Sequence, residues 1–371
     1  MRHSYKRWAC GLLGGICLLL AAAGGFVWAA DPCLYLRLPE SGRAVFFNER
    51  YQNAGLLRHA QADTVVLGTS MVANYRPSQI EAVFGGRAVK LTVPDGYMSE
   101  FDTVLEAAFR AHPPQRVLFG LDANILTRDE SGLTGALPEY LYNANPLDDL
   151  RYFLNRDTLY YSAYALLARH QGGGTPLDDA FTWDAGIWWN HMTALENYDR
   201  PEPAAEAAAA DAYLENAAAN LAVLCRWLEA HPDTEFSIFF PPYSLLYWDK
   251  MNRLGETDAV LAALDLACRT LLPYENVRLY GFLMDEEIVG NLDYYCDYIH
   301  CSGEADGLVL EKIRAGESRL TQENMEKTLA NWREFVVHYD YDQLWTDEYW
   351  WAWNIAHGAP IVWQPGGEDG T

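Results

Sequence analysis

Asp63-Thr-Val-Val-Leu-Gly-Thr-Ser-Met71 is the stretch on which the fold class turns. Its first part, Asp63–Gly68, is a short apolar, β-branched run stopped by glycine, the pattern of a strand buried on both faces. Its second part turns at once through small residues. Val117-Leu-Phe-Gly-Leu121 repeats the strand pattern, and Thr103–Ala111 between the two reads as a helix ended by His112-Pro113-Pro114. Strand, helix, strand in that order predicts a parallel sheet covered by helices, an α/β fold.

The same unit recurs downstream. Pro203 opens an Ala-rich helical stretch with Leu214, Leu221, Leu224 and Leu228 on one face, closed by Pro232. Glu235–Phe240 then reads as a strand, Asp258–Leu271 as a helix, Val277–Tyr280 as a strand and Gly303–Ile313 as the last helix of the body. Leu126–Arg200 is too long for a simple connection and is rich in Tyr and Trp. It is expected to be a helical insertion capping the carboxyl ends of the strands, its aromatics forming either a subsidiary core or a substrate groove. After Leu320 come six of the 13 Trp residues: Trp332, Trp345, Trp350, Trp351, Trp353 and Trp363. They suit packing of the tail onto the body; stacking on sugars or lying at a bilayer surface is the alternative. The expected plan is a membrane helix over 1–30, an α/β domain over 31–320 with its insertion at 126–200, and an aromatic-rich tail over 321–371.

The chain has 371 residues and a formal charge of −24. A field of that sign repels phosphate backbones, so nucleic acid is not an expected partner. From Trp8 to Ala30 no side chain is charged, whereas Arg2, Lys6 and Arg7 precede the run. As a helix this stretch spans roughly 34 Å, enough for a hydrocarbon core. The cations ahead of it predict a single-pass anchor in the cell membrane with everything downstream extracytoplasmic. A cleaved signal peptide is the competing expectation. The seven cysteines include no CxxC pair; Cys296 and Cys301 are expected either to pair or to remain free thiols. No metal-ligand spacing, GxGxxG after a strand, or P-loop is present, so neither a metal nor a cofactor is expected.

Two features carry chemistry. Ser70 follows the first strand directly, at the edge of the sheet where open α/β folds place ligands. Asp297-Tyr-Ile-His300 precedes the last helix, and an Asp and a His three apart in a turn can meet through Nδ1, leaving Nε2 to accept a proton from a serine. Each feature alone is equally compatible with plain structure, a strand-end or N-cap serine and a capping pair.

Taken together, Gly68-Thr-Ser-Met71 early and Asp297-x-x-His300 late resemble the SGNH (GDSL-like) hydrolase superfamily, most closely its membrane-anchored extracytoplasmic members in bacterial envelopes. Asp31-Pro32, Arg50-Tyr-Gln-Asn53 and Phe239-Phe-Pro-Pro-Tyr243 extend the resemblance, which covers residue 31 to about residue 313. It implies a three-layer α/β/α flavodoxin-like fold, with Ser70 as nucleophile, His300 as base and Asp297 orienting His300. It also implies an oxyanion hole built from the Ser70 N–H, the Gly96 N–H and an Asn after the third strand. There Gly120-Leu-Asp-Ala123 departs from the pattern: Asp122 stands where Asn is expected, with Asn124 two residues on as an alternative donor. The implied activity is that of a serine esterase or O-acyltransferase working through an acyl-enzyme. Its substrate would be acyl esters of cell-envelope polymers such as glycans or teichoic acids, beside a membrane-bound O-acyltransferase. Asp122 motivates the alternative, a catalytically inactive envelope protein serving as a binding platform or as a partner of such an acyltransferase.

Overall fold

The computed structural model describes residues 2–132, 135 and 137–356. Six strands form one sheet: β1 Thr64–Gly68, β2 Ala88–Thr92, β3 Arg116–Gly120, β4 Glu235–Phe239, β5 Val277–Tyr280 and β6 Arg319–Leu320. Their order is β2-β1-β3-β4-β5-β6, the first five parallel and β6 antiparallel to β5. The expected parallel sheet is therefore mostly parallel, with one short antiparallel edge. Val65, Val66, Leu67, Val117, Leu118, Phe119, Phe236 and Ile238 are all essentially inaccessible, as strands covered on both faces require.

The helices that build the layers and the insertion are α1 Arg2–Ala30, α2 Glu49–Ala60, α3 Pro77–Phe84, α4 Met98–Ala111, α5 Ala123–Thr127, α6 Leu150–Phe153, α7 Arg156–His170, α8 Leu214–Ala230, α9 Leu245–Leu254, α10 Thr257–Leu271, α11 Gly303–Ala315 and α12 Met325–His338; further helices include His191–Glu196 and Asp347–Ala356. α3 and α11 pack together on one face of the sheet. α2, α4, α8 and α10 form the layer on the other face, giving a three-layer α/β/α arrangement. The first crossover, β1 to β2, runs in the opposite direction along the sheet from the later ones. The strand order thus reverses at β1, opening a crevice between the carboxyl ends of β1 and β3.

Several elements depart from the sequence expectations. β2 is a strand although Lys90 sits at its centre, because the aliphatic stem is buried and the ammonium donates to the carbonyls of Ala73 and Tyr75 (2.7 Å to the latter). α2 is a helix that the sequence expectations do not include. The Ala-rich helix begins at Leu214, not Pro203. Residues ahead of it run along the end of α9 instead, Ala204 N–H donating to Arg253 O at 2.7 Å and Ala208 N–H to Gly255 O at 3.0 Å.

The insertion is helical, and it is pinned to the residues after α1 by Asp31. That carboxylate accepts from the N–H groups of Tyr35, Leu36 and Arg37 and from the Tyr152 hydroxyl at 2.7 Å. In the tail, α12 packs against α9 and α10. Trp332 is buried edge-on against Trp248 at 5.8 Å, and Trp350 stacks on His191 at 4.3 Å. Trp345 and Trp351 stay exposed, and Trp363 lies outside the described residues. α1 is long and apolar enough to cross a membrane.

Candidate active site

β1 delivers its last residue, Gly68, into a single 3₁₀ turn, Ser70–Val72. A side chain at Gly68 would put its Cβ 2.7 Å from Val72 Cγ1, so only glycine lets the turn fold back this closely. Thr69 caps the turn, its hydroxyl accepting from the Met71 N–H at 3.3 Å. Ser70 is left half-buried at the mouth of the crevice, and its own N–H has no acceptor among the described residues.

His300 reaches Ser70 from the loop before α11, with Nε2 2.9 Å from Ser70 Oγ. Its Nδ1 lies 2.6 Å from Asp297 Oδ2. A carboxylate only accepts, so Nδ1 carries the hydrogen and Nε2 faces the serine as an acceptor. Asp297 is held in turn by two backbone donors on its other oxygen, Ile299 N–H at 2.8 Å and His300 N–H at 2.7 Å. Burial pushes its carboxyl up, but the His300 ring and these N–H groups outweigh burial and hold it below the usual carboxylate range. Ser70, His300 and Asp297 thus form one hydrogen-bonded chain across 230 residues of sequence.

Cys296 and Cys301 bracket this loop as buried free thiols. Tyr295 and Cys301 pair across its base, and the Cys301 thiol donates to Asp306 at 3.6 Å.

A cleft of about 130 Å³ opens beside Ser70 and His300, lined among others by Gly96, Asp122, Asn124 and Tyr243. Gly96 is present as the sequence suggests, but its N–H donates to Val93 O at 2.9 Å. That closes a turn in which Asp95 takes φ +52°. Asp122 is buried, with one oxygen accepting from the Thr69 hydroxyl and the other from the Tyr243 hydroxyl at 2.9 Å. Both carboxylate oxygens are therefore engaged in holding the residue before Ser70 and the β4 loop. The Asn124 side chain has no hydrogen-bond partner among the described residues.

Burial pushes the Asp122 carboxyl up to about 6, although Thr69 and Tyr243 pull it down. An acid with a higher pKa folded than unfolded favours folding fully at low pH and loses that contribution as pH rises to about 6. The loss amounts to about 3 kcal/mol at most. Asp122→Asn is therefore expected to flatten the pH dependence of unfolding free energy between about pH 4 and pH 6. Urea denaturation across that interval checks it; an unchanged slope would show that Asp122 does not titrate there.

Other residues hold the site, Arg50 from the Arg50-Tyr-Gln-Asn53 motif and two that no motif revealed, Asn74 and Trp183. Arg50 pairs with buried Glu100 at 2.6 Å and donates to Pro94 O at 3.0 Å, fixing the loop that carries Gly96. Asn74 accepts from the Trp183 N–H at 3.1 Å and donates to Cys301 O at 3.2 Å, tying the insertion to the His300 loop. Trp183 then lies edge-on to the His300 ring at 5.0 Å. Trp183 and Asn74 carry no motif; the concentration of Trp in residues 183–189 is the only sequence signal. Among the described residues no group of three or more His, Cys, Asp or Glu side chains is placed to hold a metal ion.

Fold and site together define a three-layer α/β/α protein with a Ser–His–Asp hydrogen-bonded chain at the carboxyl edge of its sheet. No protein-family model matches the chain, and no curated protein matches it.

Proposed function

We propose that this chain is an SGNH-type serine esterase or O-acyltransferase, anchored by α1 with its α/β domain outside the membrane. The observation that carries the proposal is the continuous path from Ser70 Oγ through His300 to Asp297, at 2.9 and 2.6 Å. Ser70 Oγ attacks an ester carbonyl while its proton passes to His300 Nε2, and Asp297 stabilises the imidazolium. Collapse of the tetrahedral adduct releases the alcohol, which takes the proton from His300, and leaves an acyl-enzyme. Water completes hydrolysis, or a second hydroxyl completes transfer.

The developing oxyanion has two free donors within reach of the turn, the Ser70 N–H and the Asn124 amide. A cleft of about 130 Å³ favours a short acyl group over a fatty chain. The resemblance supplies the remainder: acyl esters of cell-envelope glycans or teichoic acids as substrate, and a membrane-bound O-acyltransferase as partner. The 2-1-3-4-5 order of the parallel strands supports a flavodoxin-like fold. The engaged Gly96 N–H favours the second reading, a binding platform that retains the fold without turnover.

The test is fluorophosphonate labelling of the full chain, read by intact mass beside Ser70→Ala and His300→Ala. One adduct per chain, lost in both variants, is the expected result. No adduct on folded protein would overturn the enzyme and leave the platform.

A further inference from the structure

We infer that the α6–α7 face of the insertion rests on the outer surface of the bilayer beside the anchor, so that the α/β domain is docked on lipid instead of swinging freely from α1. The inference depends on α1 being the anchor and not on the chemistry at Ser70.

The level of this face follows from α1 itself. Lys6 and Arg7 mark the inner boundary, and a hydrocarbon core of ~30 Å takes about 20 helical residues, which runs from Trp8 to Val27. Ala23, Gly24, Val27 and Ala30 form the one face of α1 that is covered, and they are covered by α6 and α7. Phe153 packs beside Gly24, where a methyl group would meet Phe153 Cβ in ordinary contact at 3.6 Å. α6 therefore sits at the depth of Gly24, inside the outer boundary of the core. At the other end of α7, Arg169 donates to Ala30 O at 2.9 Å, roughly 9 Å further out along α1. α7 climbs away from the membrane, and its amino end with α6 is the deepest part of the domain.

The surface along that climb mixes apolar and cationic side chains. At the deep end Leu147, Leu150 and Leu154 are 74, 64 and 48% exposed and Tyr160 is 68% exposed, with the Arg151 and Arg156 side chains 69 and 95% exposed among them. Tyr160, Ala163, Tyr164 and Leu167 continue as a stripe at i, i+3, i+4 and i+7 on the open side of α7. A helix with exposed apolar side chains on its outer face as well as buried ones on its inner face, beside the cationic Arg151 and Arg156, suits the interface of a bilayer. At the level of Ala29 and Ala30 the surface turns cationic. Arg37, Arg43 and Arg169 line a cavity of about 430 Å³, and Arg37 lies over the exposed Trp28 ring at 5.1 Å. Leucine and tyrosine interleaved with arginines whose heads can reach headgroup height, followed by tryptophan and arginine further out, is the composition of an interfacial protein surface. Continuity with α1 selects lipid as the occupant over a second copy of the chain.

The experiment uses the full chain in vesicles of phosphatidylethanolamine and phosphatidylglycerol, with the photo-crosslinker p-benzoylphenylalanine placed singly at Leu150, Leu154 or Tyr160. Probes at Leu18 within α1 and at Val337, 40% exposed on α12, serve as references. Lipid adducts at the three insertion sites, several-fold above Val337 and approaching Leu18, are expected. Adducts at Leu18 with Val337-like yields at the insertion sites would overturn the docking while leaving the anchor intact. Crosslinks to a second copy of the chain would overturn it in favour of a dimer. No lipid adduct at Leu18 would overturn both the anchor and the docking.

Discussion

Ser70→Ala is expected to lower hydrolysis of a short-chain chromogenic ester by at least about 10³-fold, with the thermal midpoint almost unchanged. The activity loss follows from removing the atom that forms the acyl-enzyme. Whatever remains would come from the oxyanion donors and binding alone. Stability is retained because Ser70 is only half-buried and the side chain of the hydroxyl's partner, His300, is 25% exposed and can turn to water. The turn is held by other groups, chiefly Thr69, Asp122 and the packing of Val72 against Gly68. Steady-state rates beside a calorimetric scan read both quantities. Equal rates for variant and parent would remove Ser70 from the mechanism, and a large drop in midpoint would assign it a structural role.

Asp297→Asn is expected to cost about 10⁴-fold in kcat with KM little changed. An Asn side chain can keep its oxygen on the Ile299 and His300 N–H groups, which Asp297 Oδ1 holds now, so the loop should persist. The position facing Nδ1 would then be an amide N–H₂, a donor where an acceptor is needed. The ring answers by placing its hydrogen on Nε2, and it no longer accepts the Ser70 proton. Activity across pH is the discriminating readout. A variant as active as the parent would show that a group other than Asp297 orients His300.

What sequence could and could not disclose divides by the range of the interactions involved. The buried strands at 64–68, 116–120, 235–239 and 277–280 were legible because a two-sided core demands unbroken apolar runs, and that demand is local. β2 was hidden by Lys90, whose charge is satisfied by carbonyls of another segment. The stretch from Pro203 to Tyr213 has helical composition but pairs with the end of α9, so propensity yielded to tertiary hydrogen bonds. α1 needed only its length and the cations before it.

Ser70, Asp297 and His300 could be singled out because strand-end serine and Asp-x-x-His are local patterns, whereas the 2.9 Å approach of Ser70 to His300 exists only in the folded chain. The orientation of Asp122 is wholly tertiary. Sequence places a carboxylate beside the site, and the hydroxyls of Thr69 and Tyr243 decide which way it faces. The Gly96 N–H, by contrast, is engaged locally, by a turn that closes on Val93. Residue type and spacing by themselves determined the layered α/β class and the apolar helix, and singled out Ser70, Asp297 and His300 as candidates. Which charges are silenced and which faces remain apolar was decided by packing, because each depends on a partner tens to hundreds of residues away.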